Sequence, residues 1–261
     1  MDEYDFFDCN CMLGSWMEDK GSSFSCIDEL ENYRNKYLIS DVLVHHSLAT
    51  YYNPQEGNRI LAGLTHGVQS LKQCWVVMPS ATGEFSAPST VVHDLSINRV
   101  CSVRVFPKLH GYCLSVWAVD ELFRSLEKMR MPVFLDYSLL HWSDGFDIDW
   151  NEIYALCNRY KELPVILVRM SIACNRNLYH LLSRFENLYF ELSYYQVNRG
   201  IEHIVERFGA GHMLFGTGAP IFDPGCVISM LHFSRVGKNE KKLIAGDNFR
   251  RLVKEINYES V

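Results

Sequence analysis

The chain has 261 residues, is 48% hydrophobic and 21% charged, and carries 31 acidic against 25 basic side chains for a formal charge of −6. Its Lys and Arg are scattered instead of forming a stripe, which argues against a nucleic-acid partner, and its longest apolar runs, such as Pro164–Met170, fall well short of the roughly 18 residues a membrane span needs. The acidic opening, Met1-Asp2-Glu3-Tyr4-Asp5, is wrong for a secretory or transit segment, so a cytoplasmic protein is expected.

Runs of β-branched and aromatic residues bounded by turn formers recur along the whole chain. Phe6–Cys11 reads as a strand, followed by helical spacing at Ile27, Leu30, Tyr33 and Tyr37. Asp41–His45 is the second strand, with a helix predicted over Asn58–Leu71, and Cys74–Met78 is the third. Cys101–Phe106 leads into a helix over Val119–Met129, Pro132–Asp136 into one over Trp150–Tyr160, and Pro164–Met170 into one over Leu178–Phe185. Leu188–Leu192 precedes a helix over Ile201–Phe208 that Gly209 is placed to end. Met213–Phe215 is the last strand. A helix around Cys226–Phe233 follows, and then a segment, Lys241–Ile256, expected to pack on the exterior.

Most of these strands are apolar without alternation, as parallel strands buried on both faces must be. Eight such units predict an α/β chain folded as a (β/α)8 TIM barrel, one domain over residues 1–261, close to the size usual for that fold. An open doubly wound sheet is the other arrangement compatible with the alternation, but no Gly-x-Gly-x-x-Gly follows a strand. The nine cysteines, odd in number and spread through strands and helices, read as reduced core thiols.

Short blocks in the same order resemble the amidohydrolase-related family, which includes aminocarboxymuconate-semialdehyde decarboxylase. Phe7-Asp8-Cys9-Asn10-Cys11-Met12-Leu13-Gly14 resembles its opening Ile-Asp-x-His-x-His-x-Gly, and Asn53-Pro54-Gln55-Glu56-Gly57-Asn58 resembles Asp-Pro-x-x-Gly-Asn. Arg104-Val105-Phe106-Pro107 is similar to its fourth strand, and Asn187-Leu188-Tyr189-Phe190-Glu191-Leu192-Ser193 to its seventh. Phe208 to Pro220 is similar to Phe-Gly-x-x-Arg-x-x-Phe-Gly-Ser-Asp-x-Pro, and Asn248-Phe249-Arg250-Arg251-Leu252 to a terminal Asn-Ala-x-Arg-Leu.

The resemblance implies hydrolase or decarboxylase chemistry on a small carboxylated or cyclic compound, with a divalent metal such as zinc as the family norm. It places the family's metal ligands at Asn10, Met12, Asp136, Arg169 and Gly218. Only Asn10 and Asp136 there offer oxygen, Arg169 is a fixed cation and Gly218 has no side chain, so no metal is expected at this site.

Polar groups remain at the C-terminal strand ends, where barrel enzymes keep their chemistry. Asp136, Arg169, Asn10 and His45 are the catalytic candidates, Asp136 as acid/base. Arg104, Tyr137, Glu191, Tyr194 and Trp142 are the substrate-binding candidates, Arg104 joining Arg169 as an anion clamp. Asp136 with Arg169 reads equally well as a structural ion pair. Of His45 and His46 only one can face the barrel interior, and Met12 reads as interior filler beside Asn10 and Asp8.

Loop aromatics Tyr51, Tyr52, Trp142, Tyr194, Tyr195 and Phe222 suit either a flat ligand or a homo-oligomer contact, and Asp144–Asp149 reads as a solvated turn. Two alternatives to a metal-free enzyme stand open: an inert barrel that binds a small-molecule ligand or a partner protein, and an unorthodox metal set of Cys9, Cys11, His45 and Asp136. Alternation would point both cysteines outward, which weighs against the latter.

Overall fold

The computed structural model describes residues 4–15, 23–138 and 148–259. Eight parallel strands lie side by side in chain order: β1 (Phe6–Leu13), β2 (Ile39–His46), β3 (Leu71–Val76), β4 (Ser102–Val105), β5 (Val133–Leu135), β6 (Val165–Leu167), β7 (Leu188–Glu191) and β8 (Met213–Leu214). The last strand returns on the first, because Cys9 N–H donates to Phe215 O and Gly218 N–H to Asn10 O, each at 2.9 Å. The predicted TIM barrel is what forms.

Helices alternate with the strands: α1 (Ile27–Lys36), α2 (Ser47–Tyr51), α3 (Pro54–Thr65), α4 (Pro88–Ile97), α5 (Val116–Lys128), α6 (Trp150–Arg159), α7 (Asn175–Leu182) and α8 (Gly200–Phe208), followed by α9 (Pro224–Phe233), α10 (Lys238–Lys242) and α11 (Asn248–Lys254). Gly209 ends α8 at φ +79°, as expected. The helix predicted over Asn58–Leu71 instead runs Pro54–Thr65. Asn53 Oδ1 caps it by accepting Glu56 N–H at 3.1 Å, Pro54 suits the first turn, and Leu71 already belongs to β3. The cap signal outranked periodicity. No helix among the described residues is long and apolar enough to cross a membrane.

Alternate strand residues sort into two apolar layers. Val133, Leu135, Val165 and Leu167 face outward into one cluster with Leu122, Phe123 and Leu156 of the helices. Phe7, Leu43, Cys74, Phe134, Ile166 and Leu214 face inward and fill the lower barrel. Phe249 and Leu252 of α11 join this inner set, and the Phe249 ring lies 4.8 Å from that of Phe7 and 5.9 Å from that of Phe134. The C-terminal segment, expected to coat the exterior, does so at Ile244, Ala245 and Ile256, but its α11 forms the floor of the barrel. Buried phenylalanines of this kind contribute about 2–3 kcal/mol each.

A second correction concerns β1. Asp8 pairs with Val42 but Cys11 with Val44, so β1 carries one extra residue, and such a bulge reverses the facing of side chains beyond it. Cys9 lies in the inner cluster and Cys11 in the outer one, contrary to the expectation that both face out. Asp8 likewise does not share the face of Asn10. It turns to α1 and the β8 loop, accepting from Tyr33 OH at 2.8 Å, Thr217 N–H at 2.9 Å and Thr217 Oγ1–H at 2.6 Å.

Burial raises the Asp8 carboxyl from its ordinary 3.8 to about 6, although the Thr217, Asn10 and Tyr33 donors pull the other way. A raised carboxyl means that the folded chain binds this proton more tightly than the unfolded one. The linked stability is full below the unfolded value and is lost as pH rises through the folded one. The stability of Asp8→Asn relative to the parent is therefore expected to climb by about 2–3 kcal/mol between pH 4 and 7. Urea melts across that range check it, and a flat difference removes Asp8 as the cause.

Candidate active site

The barrel's upper rim collects polar groups from five strand ends. Arg104, from the interior side of β4, is only 2% exposed and lies under Asn10 and beside Asp136, itself 1% exposed. Arg104 Nη2 donates to Asn10 Oδ1 at 2.8 Å, while Nη1 stands 3.7 Å from Asp136 Oδ2. Its guanidinium carbon sits 5.2 Å from the Phe134 ring centre, where a cation over a π face is stabilised further. The chain just after β5 turns so that Ser138 N–H and Oγ–H donate to Asp136 Oδ1 at 3.1 and 2.5 Å. Among the described residues Asp136 Oδ2 accepts no hydrogen bond despite its burial, and Arg104 Nε donates none.

Two opposing effects act on Asp136. Burial is the largest and pushes its pKa up, but the Arg169 guanidinium, then Arg104, then the Ser138 donors together hold it below the ordinary carboxylate value. The group is an anion at neutral pH.

Arg169 reaches this region from beyond β6 through an unusual backbone. It adopts φ +59°, a left-handed conformation costly for a non-glycine residue, and its N–H donates to Glu191 Oε1 at 2.8 Å. This turn is why β6 stops at Leu167 rather than running to Met170. The Arg169 guanidinium lies 5.9 Å from the ring centre of Phe222, whose ring is 5.5 Å from that of Tyr194. Phe222 in turn packs on Gly218. A Cβ at Gly218 would come within 2.5 Å of Phe222 Cδ2 and 3.1 Å of Ser193 Cβ, so a carboxylate-bearing residue has no room there unless Phe222 moves.

Of the sequence-predicted set, the fold brings together Asn10, Arg104, Asp136, Arg169, Glu191 and Tyr194. His45 is buried with its ring 6.2 Å from that of Phe106, whereas His46 caps α2 by accepting Leu48 N–H at 3.1 Å, so their roles divide as alternation requires. Tyr137 is misplaced as a substrate contact. It follows the inward-facing Asp136, packs in the outer layer with Ile153 and Cys157, and burial drives its phenol pKa strongly upward. Trp142 and most of the Asp144–Asp149 run lie outside the described residues.

Sequence reasoning missed Ser138 and Ser193. Both stand two residues after a buried carboxylate, and the repeated acid-x-Ser spacing, Asp136-x-Ser138 and Glu191-x-Ser193, is the signal that could have revealed them. Cys9 and Cys11 fall on opposite sides of β1, and no group of three or more His, Cys, Asp or Glu able to hold a metal occurs among the described residues.

Neither a protein-family model nor any curated protein sequence matches the chain. Its likeness to solved structures is one of fold. 5-Carboxyvanillate decarboxylase from Sphingomonas paucimobilis superposes with a TM-score of 0.73 at 9% identity, covering 98% of this chain and 100% of that one. 2,6-Dihydroxybenzoate decarboxylase from Rhizobium gives 0.67 at 13%, covering 97% and 99%. Amidohydrolase 2 from Bifidobacterium longum subsp. infantis gives 0.68 at 13%, covering 98% and 100%. The chain thus shares the barrel fold of these two decarboxylases and this amidohydrolase.

Proposed function

We propose that the chain is an enzyme of hydrolase or lyase type that acts on a small carboxylated aromatic or cyclic compound without a tightly held metal. One observation carries this reading: an ionised Asp136, one oxygen of which meets no donor among the described residues, facing Arg104 and Arg169 at the barrel's C-terminal mouth. The two guanidiniums suit a carboxylate or a developing oxyanion. Asp136, held in its anionic form, suits proton removal from water or substrate better than proton delivery to a ring carbon. That favours the hydrolytic arm over the decarboxylating one.

The residues at the family's metal positions do not fit a divalent ion. Asn10 Oδ1 is engaged by Arg104, Asp136 already faces two guanidiniums, Met12 is a soft neutral donor, and Phe222 covers Gly218. Two positive centres and a dication in one low-dielectric mouth would repel by several kcal/mol, so Arg169 stands in for the metal's charge.

A second reading has its own support. Asp136 and Arg104 are almost fully buried, as in an inert barrel whose ion pair only fills the mouth.

The test is a panel of 2,6-dihydroxybenzoate, 5-carboxyvanillate and carboxylated cyclic esters, offered to protein stripped with chelator and to protein supplemented with zinc. Turnover that is indifferent to zinc and lost in Arg169→Met is the expected result. Thermal stabilisation without conversion favours the inert barrel. One zinc per chain at the strand ends, required for turnover, overturns the metal-free assignment.

A further inference from the structure

Glu191 was expected to touch substrate, yet it is 0% exposed and each of its oxygens is taken by the protein's own donors. Oε1 accepts the Arg169 N–H at 2.8 Å and the Ser193 Oγ–H at 2.8 Å, and Oε2 accepts the Ser193 N–H at 2.7 Å. Gly216, just past the end of β8, makes the space, since a Cβ there would lie 2.5 Å from Glu191 Oε2. A carboxylate this enclosed cannot meet a ligand, and burial raises its pKa against the pull of those donors and of Arg104.

Its contacts run in two directions. Toward β6, the bond to Arg169 N–H secures the left-handed backbone from which that guanidinium reaches the mouth. Toward β1 and β4, Ser193 Oγ spends its proton on Glu191 and so accepts from Asn10 Nδ2 at 3.4 Å. This leaves Asn10 Oδ1 turned to Arg104 Nη2 at 2.8 Å. The three hydrogen bonds linking Arg104, Asn10, Ser193 and Glu191 run in one consistent sense.

We propose that Glu191 is a positioning residue that fixes both guanidiniums flanking Asp136, gripping Arg169 by its backbone and Arg104 through Ser193 and Asn10. The inference deepens the reading of the mouth as an anion site, but its first readout does not depend on that reading. The Asp136 carboxyl carbon, followed by NMR, reports the two arginines directly.

In Glu191→Gln one oxygen becomes an NH2 that accepts nothing, so either the Ser193 N–H or the Arg169 N–H and Ser193 Oγ–H lose their acceptor, and the amide oxygen that remains is a weaker acceptor than a carboxylate; both arms loosen. The Asp136 titration is expected to move up by about one pH unit and benzoate binding, measured calorimetrically, to weaken about tenfold. Ser193→Ala severs only the Arg104 arm and should give a smaller effect of the same sign, about threefold in affinity. It also serves as the test should Glu191→Gln not fold. An Asp136 titration unchanged in a folded variant overturns the inference, even if its melting temperature falls. Parent protein that ignores benzoate while Glu191→Gln still moves the Asp136 titration instead overturns the anion-site reading and leaves the positioning role supported.

Discussion

Arg104→Met is expected to destabilise the chain by about 3–5 kcal/mol, the loss typical when one partner of a buried ion pair is removed and the other stays behind. Methionine fills similar space, so the cost is electrostatic rather than a cavity. Asp136 keeps Arg169 and the Ser138 donors but loses the guanidinium 3.7 Å from its Oδ2, and Asn10 Oδ1 loses its donor. The folded pKa of Asp136 then rises toward or above its unfolded value. The penalty should accordingly be largest at neutral pH and ease as pH falls through the new folded pKa, where the carboxyl takes a proton. Adding Asp136→Asn to the same chain removes the stranded charge, so the double variant should recover much of the loss. Urea melts of the two single variants and the double one measure this. A deficit under about 1 kcal/mol, or strict additivity, would show that the pair is not coupled as the geometry requires.

Asp136→Asn is expected to lower kcat/KM about 10³-fold on any substrate the panel identifies, equivalent to about 4 kcal/mol of transition-state stabilisation. Asparagine retains the oxygen that accepts from Ser138 and the shape of the side chain, but it cannot take a proton at neutral pH. KM should not rise and benzoate should bind more tightly, because both guanidiniums remain and their internal counter-anion is gone. This split separates a proton-moving role from a structural one, which would affect both parameters through stability. Activity within tenfold of the parent would dismiss Asp136 as the base.

The barrel itself was legible because burial on both faces leaves a plain trace: Pro164-Val165-Ile166-Leu167-Val168 and Pro132-Val133-Phe134-Leu135 cannot be solvent-facing strands. Six of the polar candidates converge for the same reason, since each stands in the C-terminal half of a strand or just beyond it. What stayed hidden is what alternation alone cannot supply. The extra residue in β1 sends Asp8 to α1 and Asn10 inward, and no run of residue types announces a bulge. The left-handed turn at Arg169 contradicts the usual preference for glycine there, and its N–H is held by a carboxylate distant in sequence. Tyr137 was misread because the rule applied to His45 and His46 was not carried over to Asp136 and its neighbour. Phe222 stood among the loop aromatics, but its packing on Gly218 depends on a loop path that sequence does not encode locally.

The barrel floor has a temporal meaning as well as a spatial one. Phe249 touches Phe7, so the interior hole that begins to form with the first strand is stoppered by a helix synthesised after all eight strands. Until α11 arrives, a nascent chain holds eight strands around an open apolar well, the kind of exposed surface that invites aggregation and chaperone attention. Closure across so long a stretch of sequence is slow compared with the local strand-helix steps. Sealing of the base thus has to wait until every strand is in place, at the end opposite the one where the buried polar groups collect.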